Sequence, residues 1–500
     1  MQKLGIVGLI LLLGALTTPR QMRAQDLVGG KERLRALITS GLGGATRLPS
    51  MAVAVVHGDS IVWEEGFGWA NQERRIAATP TTPYYLASVT KVFTGTALAL
   101  LASERKVDMN RPVNAYLGSH KVRPALWDES AITVERIADH IAGLTTFNLD
   151  CDSAGPCRLD TVIDRFGVIV RPPGENFDYS NLGYGILGEV IARTSKQSYG
   201  EFLRSAVFEP LGMRDCEVAA DGRPRRAAVP YVVGTTRAVA TSYSATPAAS
   251  GAFCSAHSLA LFGRALLNSR PGASPDAGSS RWAALLPSSG VPAVQTGTPS
   301  GTTYSRGWWI EEDYVGMRSI LASGGTPYAS AILRLVPAEQ LAVVVLANMG
   351  ADVVRVADAV LDELVPAIRE RRKNWTPPAP ATRQRRPISP ELVGTWAGAI
   401  DTYRGKRSLT LSIDSSGEVT GALAGAKAEV RLTGGGASGP RVFGRLPDAD
   451  LGIEEARPGS YDLQLGLAMY GSRLAGFATT AARPDSSAPA LTFLVELTRR

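Results

Sequence analysis

The sequence is poor in the residues on which metal-dependent and histidine-dependent enzymes rely. Its 500 residues include only four histidines and four cysteines. The histidines, His57, His120, His140 and His257, are far apart in the chain, and none belongs to an HExxH or Cys-His ligand cluster. We therefore expect no metal and no cofactor, and we interpret each histidine as a surface or packing residue.

Two further kinds of catalytic motif are missing. No GxSxG nucleophile elbow occurs, and neither a GxxxxGK nor a GxGxxG loop opens a helix. The chemistry expected of this chain is therefore independent of histidine and of a phosphate-cradling loop.

A strong excess of charge of one sign is also lacking. Lysine and arginine number 53 against 46 aspartate and glutamate residues, which gives a net charge of +7. The excess is spread thinly, and the densest basic stretch, residues 369–373, is short and followed by prolines. No nucleic-acid partner is expected.

The amino terminus has the pattern of a secretory signal peptide. Lys3 precedes an apolar run over residues 4–16, and a small residue, Ala24, stands before Gln25. The run is too short to span a bilayer, and no later segment is apolar for long enough. We predict a signal peptide over residues 1–24 and a secreted or periplasmic protein without stable membrane insertion, the alternative being a retained amino-terminal anchor.

Export would place the four cysteines in an oxidising compartment, where they can pair. Cys151 and Cys157 close a short loop that contains Gly155 and Pro156, which favours a tight reversal. Cys216 and Cys254 are then the second candidate pair. Four free buried thiols are the alternative.

The spacing of apolar residues predicts a sheet built from both ends of one domain. Residues 51–57 and 60–69 read as a hairpin, helical periods dominate from about 88 to 265, and short β-prone runs return at 304–311, 318–322, 330–336 and 341–346. Residues 353–368 are again helical. The expected fold is an α/β (α+β) sandwich with a helical subdomain over residues 25–370.

The carboxy-terminal part has a different composition and a different spacing of apolar residues. Residues 371–390 are rich in proline and basic residues and are interpreted as a linker. Beyond it, leucines and other apolar residues alternate with polar ones, as over 409–413, 463–467 and 491–497. Residues 391–500 are therefore predicted to form an all-β domain, a sandwich or a barrel.

The first candidate catalytic motif is SVTK at residues 88–91. Ser88 and Lys91 are three residues apart before an apolar helical run, so a serine could be activated there by a neighbouring amine. Ser103 and Lys106 have the same spacing but end their helix among charges. The alternative for Ser88 is a helix cap beside a lysine whose stem packs on apolar surface.

The second motif is YSN at residues 179–181, in a turn that opens another helix. A tyrosine beside a lysine ammonium can be driven toward phenolate and act as a general base. An asparagine amide can hold a substrate carbonyl. Tyr179 and Asn181 are therefore candidate site residues, with a helix-capping turn as the alternative.

The third motif lies between two β-prone runs. Ser323, Gly324 and Gly325 follow Ala322, and two glycines allow a substrate to approach the backbone closely. A plain hairpin turn is the alternative reading of this segment.

Together these motifs resemble the serine β-lactamase and penicillin-binding-protein superfamily, in its class C β-lactamase, D-aminopeptidase and esterase branch. The resemblance covers roughly residues 45–370. Its motifs, in the family's order, are LASVTK at 86–91, DHIAGL at 139–144, PPGE at 172–175, YSN at 179–181, PLGM at 210–213 and VLAN at 345–348.

The resemblance implies a small-molecule or peptide-like substrate and specific roles for the site residues. Ser88 would be the acylated nucleophile, Lys91 its proton partner and Tyr179 the general base and acid. Asn181 would bind the substrate amide or ester, and the backbone N–H groups of Ser88 and Gly325 would form the oxyanion hole. Residues 394–396 (GTW) resemble the opening of lipocalin-like barrels, which are appended to some relatives.

The third motif departs from the family pattern at Ala322. Relatives usually carry a lysine or histidine there, and Tyr328 stands where many have glycine. A charge-assisted contact to a substrate carboxylate is worth about 1.5–3 kcal/mol, so β-lactams and peptides should be poorer substrates than uncharged esters or amides. The alternative is a catalytically weak or inactive penicillin-binding-like protein that binds cell-envelope ligands.

Overall fold

The computed structural model describes most of the chain. The described residues are 24–43, 48–145, 150–151, 158–219, 222–239, 243–268, 282, 285–293, 299–379, 386–426, 428–483 and 489–500. Residues 1–23, which make up nearly all of the expected signal peptide, lie outside them.

The amino-terminal 350 residues supply fourteen of the described strands. They are β1 (Ser50–His57), β2 (Ser60–Asn71), β3 (Ile76–Ala77), β4 (Tyr84–Tyr85), β5 (Asp150–Cys151), β6 (Glu217–Val218), β7 (Tyr243–Ser244), β8 (Ala252–Cys254), β9 (Val291–Pro292), β10 (Thr303–Ser305), β11 (Trp308–Tyr314), β12 (Met317–Thr326), β13 (Ala329–Val336) and β14 (Leu341–Ala347). Nine of them form one antiparallel sheet, in the order β3-β2-β1-β14-β13-β12-β11-β10-β9. The predicted sheet from both ends of the domain is therefore confirmed.

Helices cover both faces of this main sheet. The described α-helices are α1 (Ala24–Gly43), α2 (Thr90–Ser103), α3 (Val134–Ala138), α4 (Leu159–Phe166), α5 (Asn181–Ser195), α6 (Tyr199–Leu203), α7 (Pro247–Ser250), α8 (Ala256–Leu267), α9 (Val353–Leu364) and α10 (Pro366–Lys373). Among the described helices, none has the length and apolar character needed to cross a membrane.

The strictly alternating side chains of the central strands explain why both faces are covered. Val53 and Val55 of β1 pack in a cluster with α1 and α9, whereas Ala52 and Ala54 pack on the opposite side, where α8 contacts β1. Every residue of β13 and β14 is buried. A strand with apolar residues on both sides needs a helical layer on each, which gives the predicted sandwich.

Two sequence predictions of single elements are wrong. The expected strand 304–311 is broken into β10 and β11 by Arg306 and Gly307, which have φ of 47° and 100°. A Cβ on Gly307 would lie 2.6 Å from the Lys91 carbonyl oxygen, so the turn packs tightly against α2. The expected helix 353–368 is broken before Pro366, because proline cannot donate the hydrogen bond that continues a helix.

The last 110 residues form a second nine-stranded antiparallel sheet, which is nearly closed into a barrel. Its strands are β15 (Gly394–Thr402), β16 (Gly405–Ile413), β17 (Val419–Leu423), β18 (Val430–Arg431), β19 (Thr433–Ser438), β20 (Arg441–Leu446), β21 (Tyr461–Tyr470), β22 (Arg473–Ala482) and β23 (Thr492–Arg499). Their order is β18-β17-β16-β15-β23-β22-β21-β20-β19. Helix α10 extends to Lys373, three residues into the segment expected to be a linker.

Candidate active site

Ser88 lies in a short 3-10 turn, Ala87–Val89, directly before helix α2. The Leu86 N–H donates to the Ala252 carbonyl at 3.0 Å, which ties the turn to strand β8. Ala87 has φ of 46°, a left-handed conformation that costs a non-glycine residue about 1–2 kcal/mol. Such strain is typical of a functional turn that the surrounding structure holds in place.

Lys91 extends from the first turn of α2 into the interior and is 1% exposed. Its Nζ lies 3.1 Å from Ser88 Oγ, 2.7 Å from Asn181 Oδ1 and 3.0 Å from the Ala249 carbonyl oxygen. Burial lowers the pKa of Lys91 well below its usual range, because the ammonium loses its hydration.

The three neighbours of Lys91 fit a neutral amine. The Asn181 and Ala249 oxygens can only accept hydrogen bonds, whereas the Ser88 hydroxyl can donate one. A neutral amine has two N–H donors and one lone pair, so it can donate to both carbonyls and accept from Ser88. The lone pair of Lys91 then faces the proton that a nucleophilic serine must lose.

Tyr179 lies against this pair, at the residue before the cap of helix α5. Its ring centroid is 4.7 Å from Lys91 Nζ, and its hydroxyl is hydrogen-bonded to Ser88. Burial raises the pKa of Tyr179 above its usual range, and the hydrogen bond to Ser88 opposes this only partly. The prediction that Tyr179 shifts toward phenolate is therefore wrong, because burial favours a protonated Tyr179 and a neutral Lys91.

Helix α5 fixes the second motif relative to the first. Ser180 is the N-cap, and its hydroxyl accepts a hydrogen bond from the Gly183 N–H at 3.1 Å. Asn181 begins the helix, and its Oδ1 accepts from Lys91. The capping turn proposed as the alternative for this motif is thus real, and it coexists with the contacts to Lys91.

The third motif lies inside strand β12 rather than in a turn. A Cβ on Gly324 would lie 2.2 Å from the Leu86 carbonyl oxygen and 2.8 Å from the Ser88 nitrogen, so only glycine permits this approach. The Cα of the next residue, Gly325, faces open space, with no heavy atom within 4 Å of a Cβ placed there. Strand β12 therefore runs against the Ser88 turn and leaves Gly325 accessible beside it.

Ala322 and Ser323 precede these glycines in strand β12. Ala322 is 1% exposed and packs in the core cluster that contains Leu86 and Val89. The position where the resembled family carries a cation or imidazole is therefore filled by a buried methyl group. Ser323 is half-buried and retains a hydroxyl.

His140 was not expected in the site, yet it packs directly on the second motif. Its ring centroid is 4.3 Å from that of Tyr179, and its Nδ1 accepts a hydrogen bond from the Ser180 N–H at 3.1 Å. The proton of the neutral ring is then on Nε2, which is buried and has no hydrogen-bond partner among the described residues. Burial lowers the pKa of His140 well below its usual range, and a positive charge on Lys91 would lower it further.

The aromatic surroundings of Tyr179 were also missed. Trp309 stacks on Tyr179 with ring centroids 6.3 Å apart and planes at 7°, and Tyr304 packs 4.9 Å from His140. His140 lies in the DHIAGL motif at 139–144, which is the sequence signal that could have placed it near the site. Trp309 and Tyr304 carry no comparable signal, since they come from strands distant in sequence.

Two of the other histidines lie on the surface and pair with carboxylates. His120 pairs with Asp164, and His257 pairs with Glu64, both at 2.7 Å on the surface. Within the part of the chain that the structure describes, no group of three metal-binding side chains is present.

A disulfide joins Cys216 to Cys254, the second pair considered from the sequence. Cys254 also pairs with Tyr84 in the small sheet that leads to the Ser88 turn. Cys157, the expected partner of Cys151, lies outside the described residues, so the structure does not test this pair.

The chain matches proteins of known sequence over its first two thirds. A family model described as Beta-lactamase matches residues 34–365. Protein flp of Staphylococcus aureus (strain N315) is 26% identical over 318 residues, and the match covers 61% of this chain and 61% of that protein. The unguisins hydrolase ungD' of Aspergillus campestris is 34% identical over 176 residues, covering 33% of this chain and 32% of that one. The chain thus spans less than two thirds of the length of these relatives.

Solved structures share the fold. The octameric penicillin-binding protein homologue from Pyrococcus abyssi superposes with a TM-score of 0.56 at 18% identity, over 93% of this chain and 100% of that chain. A class C beta-lactamase from Rhodobacter sphaeroides gives a TM-score of 0.53 at 21% identity, over 69% and 99%. At these identities the likeness concerns the fold alone.

Proposed function

We propose, on the premise that the chain belongs to the beta-lactamase family of serine hydrolases, that it is an exported enzyme that hydrolyses uncharged esters or amides through an acyl-enzyme on Ser88. The observation that carries this proposal is the buried amine of Lys91, 3.1 Å from Ser88 Oγ. A structural lysine would place its charge in water or against a carboxylate, whereas the hydrogen-bond partners of Lys91 Nζ among the described residues are two carbonyl oxygens and one hydroxyl.

Acylation begins with proton transfer from Ser88 to Lys91. The Ser88 Oγ forms a bond to the substrate carbonyl carbon while its proton moves to the lone pair of Lys91 Nζ. The carbonyl electron pair moves onto oxygen, which becomes the oxyanion. Lys91 is then an ammonium, and its hydrogen bonds to Asn181 and Ala249 hold it in place.

Tyr179 completes the step as the general acid. Its hydroxyl, which is hydrogen-bonded to Ser88, gives its proton to the departing alcohol or amine as the tetrahedral intermediate collapses. The Lys91 ammonium returns a proton to Tyr179, so the acyl-enzyme forms with both groups neutral. Water then attacks the acyl carbon and gives one proton to Lys91. Ser88 Oγ leaves with the proton of Tyr179, and the Lys91 ammonium returns a proton to Tyr179.

The backbone beside Ser88 would stabilise the oxyanion. The N–H groups of Ser88 and Gly325 are the two donors that the family resemblance assigns to this role, and Gly324 brings the two segments together. Asn181 would orient the substrate amide or ester, and Ser323 offers a hydroxyl on the same strand.

The substrate class follows from Ala322. A buried methyl group cannot attract a carboxylate, so a carboxylate-bearing β-lactam or peptide lacks a contact worth about 1.5–3 kcal/mol. Uncharged substrates lose nothing. We infer a preference for neutral esters or amides of about 10- to 100-fold over what a site with that cation would show.

The central test is covalent labelling of the parent protein and of Ser88→Ala with a fluorophosphonate. We expect labelling of the parent, none of Ser88→Ala, and a loss of ester hydrolysis of about 10³-fold in that variant. Ser103→Ala is the matched control, because Ser103 has the same spacing to Lys106 and should leave labelling unchanged. Failure of the parent to react would favour the alternative of an inactive protein that binds cell-envelope ligands.

A substrate panel tests the preference separately. Short-chain nitrophenyl esters, D-amino acid amides and a chromogenic cephalosporin are compared by kcat/KM. Faster hydrolysis of the cephalosporin than of the esters would contradict the role given to Ala322.

Export is tested by the processed amino terminus. The disulfide between Cys216 and Cys254 is compatible with an oxidising compartment. We expect mass spectrometry of protein recovered from a bacterial periplasm to show cleavage close to Ala24, and an uncleaved amino terminus would contradict this part of the proposal.

A further inference from the structure

The segment that leads to Tyr179, residues 165–178, lies along the carboxy-terminal barrel. Val168 and Val170 form a buried cluster with Leu494 of strand β23, and Phe477 of strand β22 packs against it. The ring of Phe166 contacts that of Phe493, with centroids 5.8 Å apart. The barrel therefore covers the chain immediately before the second motif, rather than a remote surface.

Two ion pairs follow the same boundary. Arg165 Nη1 lies 2.6 Å from Glu455 Oε1, and the Glu455 side chain is 13% exposed. The Arg123 guanidinium lies 3.8 Å from the Asp401 carboxylate. Apolar burial and paired charges on one boundary indicate a fixed contact between the barrel and the segment.

Arg171 connects this boundary to the catalytic residues. Its guanidinium carbon lies 4.6 Å from the centroid of the Phe477 ring, and its Nη1 donates to Asp178 Oδ1 at 2.5 Å. The Arg171 and Asp178 side chains are 19% and 11% exposed, so solvent screens their attraction only weakly. A guanidinium stacked on a ring and paired with a carboxylate has its position fixed from both sides.

A glycine in the neighbouring strand of the barrel leaves space for the Phe477 ring. Phe477 pairs across the strands with Gly466, and a Cβ on Gly466 would lie 2.4 Å from the ring and 3.2 Å from an Arg171 nitrogen. The absence of a side chain at Gly466 thus makes room for the Phe477 ring and for the Arg171 guanidinium over it. Any larger residue there would displace the ring or the guanidinium.

Asp178 transmits the contact to Tyr179, its neighbour in the chain. The Asp178 N–H donates to the His140 carbonyl at 2.7 Å, and the Ser180 N–H donates to His140 Nδ1 at 3.1 Å. The backbone is therefore held on both sides of Tyr179. The Asp178 carboxylate is anchored to Arg171, which in turn rests on the barrel.

We propose that the carboxy-terminal barrel positions Tyr179 for catalysis through Phe477, Arg171 and Asp178, which act as positioning residues. This inference rests on the proposed role of Tyr179 as proton donor. A small displacement of that hydroxyl should slow proton transfer to the leaving group while leaving substrate binding largely intact, since a shift of about 1 Å can cost about 100-fold in rate.

The test uses Phe477→Leu in the full chain, assayed with a nitrophenyl ester and with the corresponding anilide. Departure of the anilide leaving group depends more strongly on protonation than departure of the nitrophenolate. We expect kcat to fall on the order of tenfold for the ester and more for the anilide, with KM within about twofold. Phe477→Tyr retains the ring and should restore kcat. Leu411→Ala, in the barrel interior on β16, is the control for lost barrel stability.

A double-mutant cycle separates positioning from stability. If Phe477 acts through Arg171, the losses of Phe477→Leu and Arg171→Met should not add in the double variant. Additive losses, a kcat for Phe477→Leu equal to that of the parent, or an equal loss in Leu411→Ala would overturn the inference. Failure of the proposed function has a different signature, since the parent would then not be labelled at Ser88.

Discussion

The charge state of Lys91 gives the sharpest prediction. In the unfolded chain Lys91 is an ammonium at every pH below its usual pKa near 10.5, whereas in the folded protein burial lowers the pKa of Lys91 well below that value. Between the two pKa values the unfolded state binds one proton more than the folded state. The free energy of unfolding therefore rises with pH across this window.

The magnitude follows from proton linkage. One proton of difference gives about 1.4 kcal/mol of free energy of unfolding per pH unit. Lys91→Met has a side chain of similar length and no charge, so it removes this term. The difference in free energy of unfolding, parent minus Lys91→Met, should rise by up to about 2.7 kcal/mol from about pH 7.5 to about pH 9.5.

The measurement is urea unfolding of both proteins at several pH values, followed by near-UV circular dichroism. All other groups titrate in both proteins, so their contributions cancel in the difference. Lys106→Met, which removes the exposed lysine of the second SxxK copy, is the matched control. A difference that stays constant with pH would mean that Lys91 remains an ammonium in the folded protein, and would remove it as the acceptor of the serine proton.

Three further outcomes are expected. Gly324→Ala should lower the rate of fluorophosphonate labelling by about 100-fold, because the added methyl would push β12 away from the Ser88 turn; labelling at the parent rate would contradict the close approach. His140→Phe keeps a ring but leaves the buried Ser180 N–H unpaired, so thermal unfolding should show a free energy of unfolding lower by about 1–3 kcal/mol. His140→Asn offers an amide oxygen as acceptor and should lose less. Reduction of Cys216 and Cys254, which are 38 residues apart, should lower the free energy of unfolding by up to about 4 kcal/mol, measured with and without reductant; no change would contradict the disulfide.

Sequence reasoning found the parts of the site that are encoded locally. Ser88 and Lys91 are near in the chain, and their motif, together with the residues around Tyr179, predicted contacts that the structure shows. The α/β sandwich and the carboxy-terminal β domain were also readable, because alternation along a strand is a local property.

The features that could not be predicted from the sequence depend on contacts between residues that are distant in the chain. The pKa directions of Lys91 and Tyr179 follow from how completely other elements bury them, and the local motif suggested the opposite direction for Tyr179. The carbonyl of Ala249, which fixes the amine, has no sequence signature at all. The break at Arg306 was missed because an arginine with positive φ is not a usual turn residue.

The pairing of strand β1 with β14 has a consequence for the order in which the protein acquires its site. Met51 pairs with Ala347, so the central sheet cannot close until residues near both ends of the domain have met. Such distant pairing makes closure slow, because the entropy of a very large loop is lost before its contacts form. Helices α2 and α5 can form early from local contacts, but Gly324 reaches the Ser88 turn only with the finished sheet. A partly folded chain therefore holds Ser88 and Lys91 without the backbone that the proposed mechanism needs beside them.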